Sequence, residues 1–82
     1  MFKHVVDAKY IKNYKVWIAF NDGVEGEINL SEKINKRSGV FEPLKDISYF
    51  KNFRIINDTL SWGNGADLAP ESLYELVNKQ NN

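Results

Sequence analysis

Side chains suited to acid–base or nucleophilic chemistry are few in this sequence. His4 is the only histidine, and Asp22 stands directly before a glycine. General acid–base catalysis needs a second positioned group with a separated pKa, and neither residue has one nearby in the sequence. No serine lies in a nucleophile elbow, and a second histidine for a zinc triad is absent. The sequence therefore predicts a non-enzymatic protein without metal or cofactor, with a small enzyme of unrecognised site as the alternative.

Three polar residues, Asn64, Asp67 and Glu71, gather around the start of a predicted helix. A helix N-terminus attracts anions, but two carboxylates there would repel an anionic ligand. Short polar side chains at such positions usually bond to the local backbone. We therefore interpret Asn64 and Gly65 as turn residues, Asp67 as a helix cap and Pro70 as the first helical residue.

Basic and aromatic residues are interleaved around the predicted tip of the first hairpin, at Lys9, Tyr10, Lys12, Tyr14 and Lys15. Such a mixture suits single-stranded nucleic acid, because rings stack on bases and ammonium groups meet phosphates. The formal net charge is 0, however, and nucleic-acid-binding domains usually carry a basic excess. A solvated tip with packed tyrosines is favoured, and nucleic-acid contact through Lys9, Lys12 and Lys15 is the alternative.

Trp17 is predicted on the sheet face that points away from the core. That face is predicted to carry Val5, Asp7, Ala19, Glu25 and Glu27 as well. A tryptophan there either lies beneath the C-terminal helix or is free for a partner, and alternation alone does not choose between the two. For a small protein partner, the candidate contacts are Tyr10, Tyr14, Trp17 and Glu27, where rings supply buried area and charges set register.

Composition and length set the general class. The chain has 82 residues, which predicts one domain over residues 1–82. Cysteine is absent, which excludes disulfides and thiolate metal sites. Residues 1–7 lack the apolar run of a signal peptide, and no stretch approaches the ~20 apolar residues that span a bilayer. We therefore expect a cytoplasmic protein that does not enter a membrane.

Period-two alternation predicts an antiparallel meander of three strands, over residues 6–10, 15–20 and 24–30. Three-residue loops keep the two faces of each hairpin consistent. They place Asn13 and Gly23 in the left-handed conformation. The first loop also pairs Tyr10 with Tyr14 and places Lys9 opposite Lys15.

The remaining elements are short. Ser31 is predicted to cap a helix that runs to about residue 36 and ends near Gly39, and Asp46 is predicted to cap another. A second hairpin turns at Asn57 and Asp58. The last helix carries an apolar stripe at Leu73, Leu76 and Val77, and residues 79–82 are expected to fray. The predicted fold is α+β, with the C-terminal helix packed on sheet.

The spacing of many of these residues resembles the family of small, mostly bacterial proteins known as domain of unknown function 2442. The matching residues are Phe20, Asp22, Gly23, Gly26, Leu30, Gly39, Phe41, Pro43, Leu44, Asp46, Phe50, Trp62, Asn64, Gly65, Asp67, Pro70, Glu71, Leu73 and Tyr74. Gly63 departs from the family, which often has proline there. The resemblance implies a fold like the N-terminal domain of a two-domain Nitrosomonas relative that continues into a helix-turn-helix domain. It also implies, from relatives in toxin–antitoxin-like pairs, a regulatory or interaction module with a small protein partner.

Overall fold

The computed structural model describes residues 3–81 and has the predicted α+β fold. Three strands are followed by short helices, a second hairpin and a longer helix. In chain order the elements are β1 (Val5–Lys12), β2 (Lys15–Phe20), β3 (Glu25–Asn29), α1 (Ser31–Asn35), a 3₁₀ helix (Gly39–Lys45), α2 (Ile47–Phe50), β4 (Arg54–Ile56), β5 (Thr59–Ser61) and α3 (Pro70–Gln80).

The β2–β3 hairpin has the predicted register. The strand order is β1-β2-β3, all antiparallel, and Val16 lies opposite Ile28. The Phe20 N–H donates to the Val24 carbonyl at 2.8 Å and closes the loop over residues 21–23. Gly23 has φ 90°, the left-handed conformation that a three-residue loop needs at this position.

β1 differs from the prediction because it contains a bulge at its start. Val5 lies opposite Phe20 and Asp7 opposite Ala19, so Val6 is an extra residue in the ladder. Val5 is 2% exposed and belongs to the core, whereas Val6 is 58% exposed. The prediction that Val5 faces outward and Val6 inward is therefore wrong, because strict alternation has no place for an inserted residue.

The first turn has a second irregularity. Asn13 takes the predicted left-handed conformation, with φ 50°. The turn is one residue shorter than predicted, because Lys12 pairs directly with Lys15 and the ladder shifts at Ile11. The bulge at Ile11 compensates for the shorter turn, so Tyr10 still lies on the inner face, but its partner is Val16 instead of the predicted Tyr14.

The segment after β3 is helical but is capped differently from the prediction. Ser31 is the first residue of α1 rather than its cap, and its N–H donates to Asn29 Oδ1 at 2.9 Å. Gly39 begins the 3₁₀ helix, with φ 67°, rather than ending α1. The cap at Asp46 is confirmed, since its carboxylate accepts the Ser48 N–H at 3.0 Å.

The second hairpin is confirmed, with its turn at the predicted residues. Ile55 lies opposite Leu60, and the two turn residues Asn57 and Asp58 have φ 53° and 67°. Positive φ at both central positions is the geometry whose twist matches the flanking strands.

α3 begins at Pro70, as predicted, and lies against the inner face of the three-stranded sheet. Its Leu73 and Val77 are buried in the same core cluster as Ile18 and the other inward residues of the sheet. The prediction of fraying is wrong for residues 79 and 80, which belong to α3, and Asn81 is the C-cap of the helix. Residue 82 lies outside the described part. Within residues 3–81, no helix has the length and apolar character to cross a membrane.

Candidate interaction surface

The outer face of the three-stranded sheet has Trp17 at its centre. Lys9 lies opposite Trp17 on β1, and Glu27 lies opposite it on β3. The Lys9 ammonium is 5.7 Å from the centroid of the indole, within cation–π range. The predicted pairing of Lys9 with Lys15 is therefore wrong, because the turn lies one residue later than predicted and Lys15 pairs with Lys12 instead.

Trp17 is not covered by α3. The helix buries its apolar side chains in the core on the opposite side of the sheet. Trp17 is half-buried and lies outside that core, among side chains of its own sheet. Of the two alternatives for this residue, the structure therefore gives the one in which α3 leaves the outer face open.

The charges of the outer face are ordered along the strands. Toward the first turn, Lys15 Nζ lies 3.6 Å from Glu27 Oε1, in an exposed pair of small energetic weight. At the other end, Asp7 and Glu25 flank Ala19 from the two neighbouring strands, and both are exposed. The face therefore changes from mixed basic character near the first turn to acidic character near residues 21–24.

Tyr10 and Tyr14 lie on the inner side, so the four candidate contacts do not form one surface. Tyr10 lies opposite Val16, not Tyr14 as predicted, and packs against the core. The Tyr14 ring centroid is 4.8 Å from that of Phe50. Its hydroxyl donates to the Lys45 carbonyl at 2.5 Å. Burial raises the pKa of Tyr14 above its ordinary value, with a smaller contribution from a nearby carboxylate.

The hydrogen bond between Asp22 and Tyr74 has no recognisable signal in the sequence. The Tyr74 hydroxyl donates to Asp22 Oδ2 at 2.6 Å, and the Val24 N–H donates to Oδ1 at 3.1 Å. Lys3 Nζ lies 3.5 Å from the same carboxylate and 4.2 Å from the Tyr74 ring centroid. The tyrosine hydrogen bond, foremost, lowers the pKa of Asp22, and the same bond raises the pKa of Tyr74. This cluster fastens the β2–β3 loop to α3.

His4 contacts Asp58 through its side chain and Asn21 through its backbone. Its Nδ1 lies 3.0 Å from Asp58 Oδ2, and its backbone N–H donates to Asn21 Oδ1 at 3.1 Å. The side chain is partly exposed. Among residues 3–81, no three histidine, aspartate or glutamate side chains are grouped so as to hold a metal ion.

Polar residues of the loop before α3 form hydrogen bonds with backbone groups. Asn64 Oδ1 accepts the Ala66 N–H at 3.1 Å, and its Nδ2 donates to the Val40 carbonyl at 2.7 Å. Gly65 has φ 93° in the same turn. Asp67 does not cap α3, whose first turn has no side-chain capping bond; it pairs through its backbone with β5 instead. Pro70 has no backbone N–H for a cap to satisfy, so α3 has less need of a capping side chain.

A shallow groove of about 310 Å³ lies between α1 and α3. Its charged side chains are of both signs: Glu32, Lys33, Lys36, Arg37, Glu75 and Lys79. The hydrogen bond from Lys36, at 2.8 Å, is the main cause of the lowered pKa of Glu32. Because that pair is exposed, the groove offers a solvated charged wall rather than an enclosed site.

Comparison with known proteins identifies a family for this chain but no function. No curated protein and no solved structure matches this chain. The family model described as "Protein of unknown function (DUF2442)" matches residues 5–79, from the first residue of β1 almost to the end of α3. The chain therefore belongs to the DUF2442 family of proteins of unknown function.

Proposed function

We propose that this protein is a non-enzymatic interaction module that binds a small protein partner through the outer face of its sheet. In its most specific form, it is the regulatory, antitoxin-like member of such a pair. The observation that carries the proposal is Trp17, a large aromatic side chain on a sheet face that no described helix covers.

The surroundings of Trp17 match those of an interface anchor. Tryptophan is enriched among residues that dominate binding energy, and its effect depends on neighbours that exclude water. Here Lys9 and Glu27 flank the ring on the adjacent strands. A partner that covers this row would desolvate the indole while the charges fix its orientation. The ordered charges favour a partner that presents basic groups to Asp7 and Glu25.

The test is purification of the tagged protein from its native host, with the stoichiometry of co-purifying chains determined. We expect one small protein at about equal amount, and we expect Trp17→Ala to lose at least tenfold of it, since hot-spot truncations cost ~2 kcal/mol or more. Val40→Ala is the matched control, because Val40 is an exposed apolar residue outside the sheet. Failure to recover a stoichiometric chain, or equal recovery with Trp17→Ala, would count against the proposal.

A further inference from the structure

The free edge of β3 is occupied by side chains from the last turn of α3. Gln80 Oε1 accepts the Asn29 N–H at 2.8 Å, and Gln80 Nε2 donates to the Asn29 carbonyl at 3.3 Å. Asn81 Nδ2 donates to the Glu27 carbonyl at 2.9 Å. Asn29 and Glu27 are two residues apart, so the bonded groups are those that point away from β2. We call Gln80 and Asn81 together the edge plug.

The edge plug reproduces what a neighbouring strand would do. One side-chain amide of Gln80 both donates to and accepts from the same residue, as a strand partner does in an antiparallel pair. Gly26 allows the approach, because a Cβ at that position would lie 2.9 Å from Asn81 Nδ2. The edge of β3 is therefore formed for pairing and is satisfied by side chains instead of by another strand.

We propose that β3 is a strand-addition site, opened when the edge plug detaches, for an extended segment of a protein partner with Lys or Arg at alternate positions. The proposal rests on the proposed function and specifies how the partner binds. In strand addition, main-chain hydrogen bonds supply affinity, and alternate side chains supply specificity.

The basic character of the segment follows from the side chains beside the edge. Glu25 and Glu27 are both exposed and lie on the outer face of β3. An added strand places every second side chain on that face, directly next to these carboxylates. A second copy of β3 would bring its own acidic residues to the same place, and facing like charges destabilise a strand pair. The charges therefore favour a basic partner strand over self-association.

Only the end of α3 needs to move. Leu73 and Val77 anchor the rest of the helix in the core, with exposures of 0% and 3%. The plug's bonds to Asn29 and Glu27 lie in exposed positions. One net hydrogen bond changes an equilibrium constant by about fivefold. The free energy needed to detach the plug is therefore smaller than the free energy gained from the main-chain hydrogen bonds of an added strand.

The experiment uses the ¹⁵N-labelled full chain and a blocked eight-residue peptide of alternating lysine and valine. Gln80→Ala removes both bonds to Asn29, and Asn78→Ala is the control on an exposed position of the same helix. We expect Gln80→Ala to bind the peptide about 5- to 25-fold more tightly than the unaltered protein and the control, the range for the loss of one to two net hydrogen bonds. Bound peptide should slow hydrogen exchange at the Glu27 and Asn29 amides.

Gly26→Ala provides a second way to open the edge, because the added methyl group displaces Asn81 while Gln80 is retained. It should also tighten peptide binding. The idea is overturned if the peptide gives no protection of the β3 amides in Gln80→Ala, or if a glutamate–valine peptide binds equally well. If a natural partner depends on Trp17 but is indifferent to Gln80→Ala, the interaction module stands and strand addition fails. If the peptide protects β3 while no natural partner is recovered, strand addition stands and the proposed interaction module fails.

Discussion

Because of the bulge at the start of β1, we predict different losses of stability when two adjacent valines are truncated. Val5 is buried at 2% exposure and Val6 is 58% exposed. Val5→Ala removes about two buried methylene equivalents, or ~1.6 kcal/mol of transfer free energy at ~0.8 kcal/mol each. The cavity that remains adds roughly another 1 kcal/mol, so the free energy of unfolding should fall by about 2–3 kcal/mol. Val6→Ala should change it by less than ~0.5 kcal/mol.

The measurement is equilibrium unfolding in urea, followed by tryptophan fluorescence and by circular dichroism. With a slope of ~1 kcal/mol per molar urea for a chain of this size, the midpoint of Val5→Ala should fall by about 2–3 M, whereas that of Val6→Ala should change by less than ~0.5 M. The two variants make the same chemical change at neighbouring positions, so each is the control for the other. Equal losses, or a larger loss for Val6→Ala, would show that β1 has the regular alternation without the bulge.

Two further predictions concern Asp22 and the basic hairpin tip. The lowered pKa of Asp22 means that its ionised form stabilises the fold above pH ~4, and this contribution disappears as the pH falls through the lowered value. Tyr74→Phe removes the main cause, so we expect a shallower loss of the urea midpoint between pH 5 and 2; an unchanged pH profile would contradict the contact. For the tip, we expect no retention of single-stranded oligonucleotide on filters at low salt, and retention that Lys12→Glu or Lys15→Glu abolishes would favour the nucleic-acid alternative instead.

Sequence patterns predicted the parts of this fold that depend on neighbours along the chain. The loop ending at Gly23, the turn at Asn57 and Asp58, the cap at Asp46 and the helix start at Pro70 each follow from local backbone chemistry, and each is present. Such features need only a few adjacent residues, so their signals are contained within a short window.

The features that were missed depend on residues far apart or on an inserted residue. The bond from Tyr74 to Asp22 spans 52 positions, and that from Gln80 to Asn29 spans 51. Polar residues at these positions look like ordinary solvated side chains until the helix is placed on the sheet. The bulge at Val6 was missed for a different reason: two consecutive valines fit either phase of an alternating pattern, and only packing against Phe20 selects one.

The candidate surface was predicted in part for the same reason. Alternation placed Trp17 and Glu27 correctly on one face, because β2 and β3 are regular. It did not separate the tyrosines from them, since Tyr10 and Tyr14 are drawn to the ring of Phe50, which belongs to a distant short helix. Only the packing of α2 against the inner side shows that these rings help to form the core.

The distance along the chain between β3 and the residues that cover it has a consequence for the nascent protein. Asn29 leaves the ribosome 51 residues before Gln80. At ~5–20 residues per second, that interval is about 3–10 s. The hairpin of β2 and β3 can form during this interval, because hairpins close within microseconds. The outer edge of β3 is not yet covered by Gln80 and Asn81 at that stage. During this interval the exposed carboxylates of Glu25 and Glu27 disfavour pairing of the β3 edge with other nascent chains on the same messenger RNA. Once Gln80 and Asn81 have been synthesised, their amide side chains cover this edge instead.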